Sequence, residues 1–143
     1  MQLKEQDHHR LFDDLLNIED RKFLLKHGKI HNASNGDVLC HQNQISNNLF
    51  VVLQGEVEVS GKTGEQSKVL GTLSTGDLFG EISALLSIPR IATVTAKKTS
   101  IILEINITDF VKLLERSPKL KDIVYKRLSE RSIKTSILTQ PES

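Results

Sequence analysis

The chain has 143 residues and a mass of 16.0 kDa, the length of one domain that can close a core without disulfides or metals. Apolar residues make up 38% of it but aromatics only 4%, with no Trp and one Tyr, so the core is expected to be aliphatic. Nineteen basic and eighteen acidic residues leave a formal charge of +1, which excludes a nucleic-acid or membrane surface built on bulk electrostatics.

Residues 7–27 carry helical spacing, with Leu11, Phe12, Leu15 and Leu16 in one cluster and Phe23, Leu24 and Leu25 in the next. Gly28 follows as a C-terminal cap. Short apolar runs then alternate with turn signals. The runs are Val38–Cys40, Leu49–Leu53, Val57–Val59 and Val69–Leu73; the turns include Asn35-Gly36-Asp37, Gly61 to Gly64 and Thr75-Gly76-Asp77. Strands at this spacing predict an all-β sandwich or barrel.

Two further strands are predicted after a break. Ile91–Ala96 alternates, with Ala92, Val94 and Ala96 on one face, and Ser100–Ile105 is nearly continuous and apolar, as a strand buried on both faces would be. Thr108-Asp109 reads as the start of a helix carrying Phe110, Val111, Leu113 and Leu114. Pro118 suits the first turn of a last helix reaching about Leu138. The expected organisation is one domain: a helical segment over 1–28, a β-roll over 29–106 and helices over 107–139. No internal repeat or low-complexity run is visible.

The segment 77–94, between the strands, concentrates residues suited to binding an anion. Gly80 permits a tight bend, and Glu81 to Leu86 are enough for about one and a half helical turns. A helix N-terminus offers unpaired N–H groups to an anion. Arg90 follows Pro89, which fixes the local backbone and would aim a guanidinium fork at a phosphate. Glu81 would repel a phosphate, so it suits a neutral hydroxyl on the same ligand, such as that of a sugar. Taken singly, Glu81 and Arg90 could form an ion pair in a surface loop. With the glycine, the proline and the flanking strands all in register, the ligand reading is preferred.

Phe79-Gly80-Glu81-Ile82-Ser83 followed by Pro89-Arg90-Ile91-Ala92-Thr93-Val94 resembles the phosphate-binding cassette of the cyclic nucleotide-binding domain family. That family includes the regulatory subunit of cAMP-dependent protein kinase, cyclic nucleotide-gated channels and the catabolite activator protein. The resemblance extends upstream through Gly36–Cys40 and Leu49–Val57 and covers nearly the whole chain. It implies a mainly β fold with flanking helices: an eight-stranded, jelly-roll-like β-roll with N-terminal helices, a short phosphate-binding helix inside the roll and two C-terminal helices. By position, Glu81 would hold the ribose 2′-hydroxyl and Arg90 the exocyclic phosphate oxygens. Amides of Ile82, Ser83 and Ile91 would complete the cradle, with Gly80 and Ala92 allowing close approach. Two departures are Ala84, in place of a larger aliphatic residue, and Ser87, where many members have Gly. Members preferring cyclic GMP often carry Thr where this chain has Ile91, so cyclic AMP is the expected ligand.

In the family the last helix covers the base and moves on binding. Here Leu120, Val124, Leu128, Thr135 and Leu138 share one stripe, with Arg131 inside it and Arg127 at its edge. Either arginine could snorkel to solvent or stack over the base, and Arg127, Leu128 and Arg131 are the candidate base-capping residues. Ile133 and Ile137 lie off the stripe and point to another helix or a second subunit, which would make a homodimer through this helix.

Other chemistries find little support. The single Cys40 cannot build a disulfide framework or a multi-cysteine metal site, and it sits in an apolar run as a small hydrophobe. The five histidines all precede residue 42, so the strand-borne ligand set of a metal-binding β-roll is missing and no metal is expected. No nucleophile elbow is present and no enzyme is expected. No secretory signal or membrane-length apolar stretch is visible, which predicts a cytoplasmic domain. Its effector would be a domain or partner protein not contained in these residues. The rival reading keeps the fold as a ligand-free interaction scaffold.

Overall fold

The computed structural model describes residues 16–139, with side chains over 16–130. Eight strands form two antiparallel four-stranded sheets. The first contains β1 (Lys29–Ala33), β8 (Ser100–Asn106), β3 (Asn48–Gln54) and β6 (Leu78–Phe79), in that order across the sheet. The second contains β2 (Val38–Cys40), β7 (Thr93–Ala96), β4 (Glu56–Thr63) and β5 (Gln66–Ser74). Helices α1 (Ile18–His27), α3 (Ile107–Arg116) and α4 (Pro118–Thr139) flank the roll, and α2 (Glu81–Leu86) lies between β6 and β7. This is the mainly β roll with flanking helices expected from the sequence.

Alternation along two strands separates two cores. In β3, Phe50 and Val52 face the interior of the roll with Val57, Phe79, Val94, Ala96 and Ile102. Leu49 and Val51 face the other way, into a cluster with Leu103, Ile105, Phe110, Leu113, Leu120 and Val124. The central strands β3 and β8 of the first sheet are therefore buried on both faces, which is why Leu49–Leu53 and Ser100–Ile105 read as continuous apolar runs.

The helix ends follow cap chemistry. α1 starts only at Ile18, because the Asn17 side chain accepts from the Asp20 amide at 2.8 Å; Leu16 is buried ahead of it, and Leu11, Phe12 and Leu15 lie outside the described residues. The Gly28 amide donates to the Leu24 carbonyl at 2.8 Å, capping α1 as expected, in an extended conformation. α3 begins at Ile107, one residue before the expected start, because Asn106 caps it by accepting from the Thr108 amide. An ion pair of 3.2 Å between Arg116 and buried Asp20 joins α3 to α1.

Two strands have no clear sequence signal. β1 buries only Ala33 among polar and exposed neighbours, and β6 is two residues long. Both are selected by pairing with β8 and β3. The expected strand Val69–Leu73 extends over Gln66–Ser74 because its polar ends pair across the hairpin with β4.

One turn occurs twice. In Ser34–Asp37 and Ser74–Asp77 the Asp side chain accepts from the Ser amide, and the Gly amide and Asp carbonyl bond the backbone of one core residue, Ala96 or Val52. The turn signals at Gly36-Asp37 and Gly76-Asp77 are thus the same device, anchoring one turn to each sheet.

At Gly55 φ is +121°, and an added Cβ would lie 2.1 Å from Ser100 Oγ and 2.8 Å from Ser100 Cα. Gly55→Ala is expected to cost about 2–5 kcal/mol, combining backbone strain with overpacking. Urea unfolding will register this as a lower midpoint; an unchanged midpoint would contradict it.

Cys40 is buried in the roll, and burial pushes its thiol above the ordinary thiol range, partly offset by the Arg90 charge. The unfolded chain releases this proton at lower pH than the folded one, so stability from Cys40 is complete below about pH 8.5 and falls as pH rises. Unfolding measured from pH 7 upward should show that decline, and Cys40→Ala should reduce its slope.

Candidate functional site

The chain leaves β6 through Gly80, whose φ of +82° turns it into α2. A Cβ there would lie 2.5 Å from Arg90 Nη1, so both the turn and the close approach require glycine. α2 ends at Ser87, which takes the left-handed conformation (φ +55°). Glycine suits this conformation best, so the Ser87 departure preserves the turn at some cost in strain. Ala84 is buried. Pro89 to Ala92 then lead into β7, which begins at Thr93, two residues after the expected start because Ile91 and Ala92 remain in the connecting segment.

Arg90 folds back beneath this loop and is 3% exposed. Its Nη1 donates to the Gly80 carbonyl at 2.8 Å and to Ser83 Oγ at 2.9 Å, and its Nη2 donates to the Asn48 carbonyl. Ser83 Oγ in turn donates to the Gly80 carbonyl at 3.2 Å. The guanidinium carbon lies 5.7 Å from the centre of the Phe50 ring, which stacks on Phe79 at 4.9 Å. Among the described residues these three acceptors are neutral oxygens, and Arg90 Nε is buried without a hydrogen-bond partner. A guanidinium has five N–H donors, so the site retains donors and positive charge that an anion would complement.

Gly80, Glu81, Ile82, Ser83, Arg90, Ile91 and Ala92 therefore share one compact loop–helix–loop. Glu81 is fully buried at the first helical position, Ile82, Ser83 and Ala92 are buried, and Ile91 is exposed. The first helical bond runs from the Ala84 amide to the Gly80 carbonyl, so the amides of residues 81–83 precede the intrahelical ladder.

The candidate capping residues sit elsewhere. Leu128 packs against the helical core and Arg127 is half-buried on α4, while the side chains of Arg131, Ile133 and Ile137 lie outside the described residues. Leu85, on α2, packs against the same apolar cluster as Leu128.

Sequence reasoning missed several residues around the site. Asn48 supplies an acceptor to the guanidinium, and Asn43 and Gln44 bond both backbone groups of Arg90. Their signal was a polar run between two strands, indistinguishable from an ordinary loop. Opposite β7, Val59 pairs with Val94 and with Gly71, and an added Cβ at Gly71 would meet open space. Val59 and Leu73 continue the apolar wall of the roll on this side.

Among the described residues no cluster of His, Cys, Asp and Glu could hold a metal ion, and no helix is long and apolar enough to cross a membrane. The chain is 30% identical over 96 residues to a cyclic nucleotide-gated potassium channel of Rhizobium etli, covering 67% of this chain and 26% of the channel. It is 34% identical over 68 residues to a cAMP-dependent protein kinase regulatory subunit of Mycosarcoma maydis, covering 48% of this chain and 13% of that protein. It thus spans about a quarter or less of the length of these relatives. Among solved structures, the catabolite activator protein of Thermus thermophilus superposes with a TM-score of 0.72 at 26% identity, over 92% of this chain and 63% of that one. The cyclic nucleotide-binding domain family matches residues 30–117, and with the buried Arg90 loop in place the chain belongs to that family of regulatory, non-catalytic modules.

Proposed function

We propose that this domain is a sensor that binds cyclic AMP in preference to cyclic GMP and reports occupancy through α4. The observation that carries this reading is the buried Arg90 guanidinium, held among neutral oxygens with Nε unpartnered among the described residues. Arg90 pairs with the exocyclic phosphate oxygens, where two charge-assisted bonds match the planar fork. The amides of Ile82, Ser83 and Ile91 surround the same phosphate. Glu81 accepts from the ribose 2′-hydroxyl; a carboxylate in that place selects a hydroxyl donor over a second anion. The base lies along the apolar wall near Val59 and Gly71.

Ligand contact draws on α2, and Leu85 links α2 to the apolar cluster that also holds Leu120, Val124 and Leu128. Ordering of the loop therefore shifts the packing of α4, with Arg127, Leu128 and Arg131 meeting the base as the helix closes. Only a difference in affinity between the two arrangements can drive this shift. An effector domain or partner protein would read the position of the helix.

Calorimetric titration of the whole chain with cyclic AMP tests the ligand. Arg90→Ala is expected to lose about 1.5–3 kcal/mol of binding, a weakening of about 10- to 150-fold. Unchanged affinity would remove Arg90 from the site, and absence of any thermal stabilisation by millimolar cyclic AMP would favour the ligand-free scaffold. Ile91→Thr introduces a hydroxyl able to reach the guanine amino group. It should raise affinity for cyclic GMP relative to cyclic AMP by about 2- to 13-fold, the worth of one hydrogen bond, and competition between the two nucleotides would reveal it.

A further inference from the structure

Arg90 is held from two directions. Its side chain bonds oxygens of Gly80, Ser83 and Asn48, while its backbone is held by the loop joining β2 to β3. The Arg90 amide donates to the Gln44 carbonyl at 2.8 Å, and the Arg90 carbonyl accepts from the Asn43 amide at 2.7 Å. These two bonds lie outside the strand ladders, and Asn43 takes part with a left-handed φ of +71°. A loop containing such a residue needs an anchor to keep its shape.

Gln42 is that anchor. Its side-chain amide pairs with both backbone groups of Lys62: Oε1 accepts from the Lys62 amide at 2.8 Å and Nε2 donates to the Lys62 carbonyl at 3.2 Å. The pairing of β4 with β7 ends at Ser60 and Thr93, so beyond that point the edge of β4 is open and the Gln42 side chain takes the place of the missing strand. The Gln42 backbone N–H also donates to Thr93 Oγ1 at 3.0 Å, just past the segment that carries Arg90. Gln42 lines a polar groove with His41, Asn43, Lys62, Gly64 and Thr93, outside both apolar cores.

We propose that Gln42 is a positioning residue for ligand binding: by tying the β2–β3 loop to the edge of β4, it fixes the Arg90 backbone and hence the direction of the guanidinium. A site built on a two-pronged charged contact tolerates displacements of only about half an ångström. A small movement of the backbone at residue 90 is enlarged along the long side chain before it reaches the guanidinium. The role in binding rests on the cyclic nucleotide reading; the grip on the Arg90 backbone does not.

Two variants of the full chain test it. Gln42→Met removes both bonds to Lys62 at similar size, and Gln42→Glu keeps the acceptor but sets a carboxylate against the Lys62 carbonyl. Hydrogen exchange of the Asn43 and Arg90 amides in the unliganded protein should accelerate about tenfold or more, while β3 and β8 amides stay protected. Affinity for cyclic AMP should fall by about 3- to 15-fold in either variant. In an Arg90→Ala background the same substitutions should cost no further affinity, because the residue being positioned is gone. Unchanged exchange at residues 43 and 90, unchanged affinity, or an equal loss in the Arg90→Ala background would each overturn the proposal. Failure of the wild-type chain to bind any cyclic nucleotide would overturn the functional reading instead and leave the exchange result to judge the grip.

Discussion

A guanidinium removed from water must be given oxygens, because an unpaired buried charge costs several kcal/mol. Arg90 imposes this requirement on everything around it. Gly80 must lack a side chain so that its carbonyl can reach Nη1, Ser83 must turn its hydroxyl inward, and the start of β3 must present the Asn48 carbonyl. The backbone of Arg90 is meanwhile bonded to the β2–β3 loop. Pieces far apart in the chain, near residues 43, 48, 80 and 90, are thereby brought to one point. The loop is organised around the arginine.

Burial of β3 and β8 on both faces sets these strands between two apolar layers. Strands β3 and β8 send alternate side chains to the interior of the roll and to the helical cluster, so neither layer can be repacked without involving the other. α2 extends the connection, since its buried first turn belongs to the Arg90 loop while Leu85 packs with the helices. An event at the loop has a short, continuous apolar path to α4.

Backbone conformations outside the common regions gather in the same neighbourhood. The two non-glycine residues with left-handed φ among those described, Asn43 and Ser87, both flank the segment holding Arg90. One sits in the loop that grips its backbone and the other closes α2. Their strain is held by hydrogen bonds: Asn43 to the Arg90 carbonyl, and the amides of Ser87 and Ile88 to the Ser83 carbonyl. Strain of this sort concentrates where geometry matters more than local stability.

Local chemistry made much of this legible. Val94 and Ala96 alternate into the core, Pro118 starts the last helix, and Gly80 with Glu81–Leu86 forms the expected bend and short helix. The residues of the candidate loop were readable because their types and spacing lie within one stretch of 18 residues, where near-neighbour rules apply. By contrast, β1 and β6 exist only because β8 and β3 offer them edges, and neither shows a period of its own. Asn43, Gln44 and Asn48 read as polar loop until the fold sets them against Arg90, and Gln42 is an ordinary polar residue until Lys62 meets it across 20 positions. The sequence by itself determined the class of fold and the residues suited to an anion. Which oxygens receive the guanidinium, and which loop holds it, was decided only by tertiary structure, because hydrogen bonds between distant segments leave no periodicity in the chain.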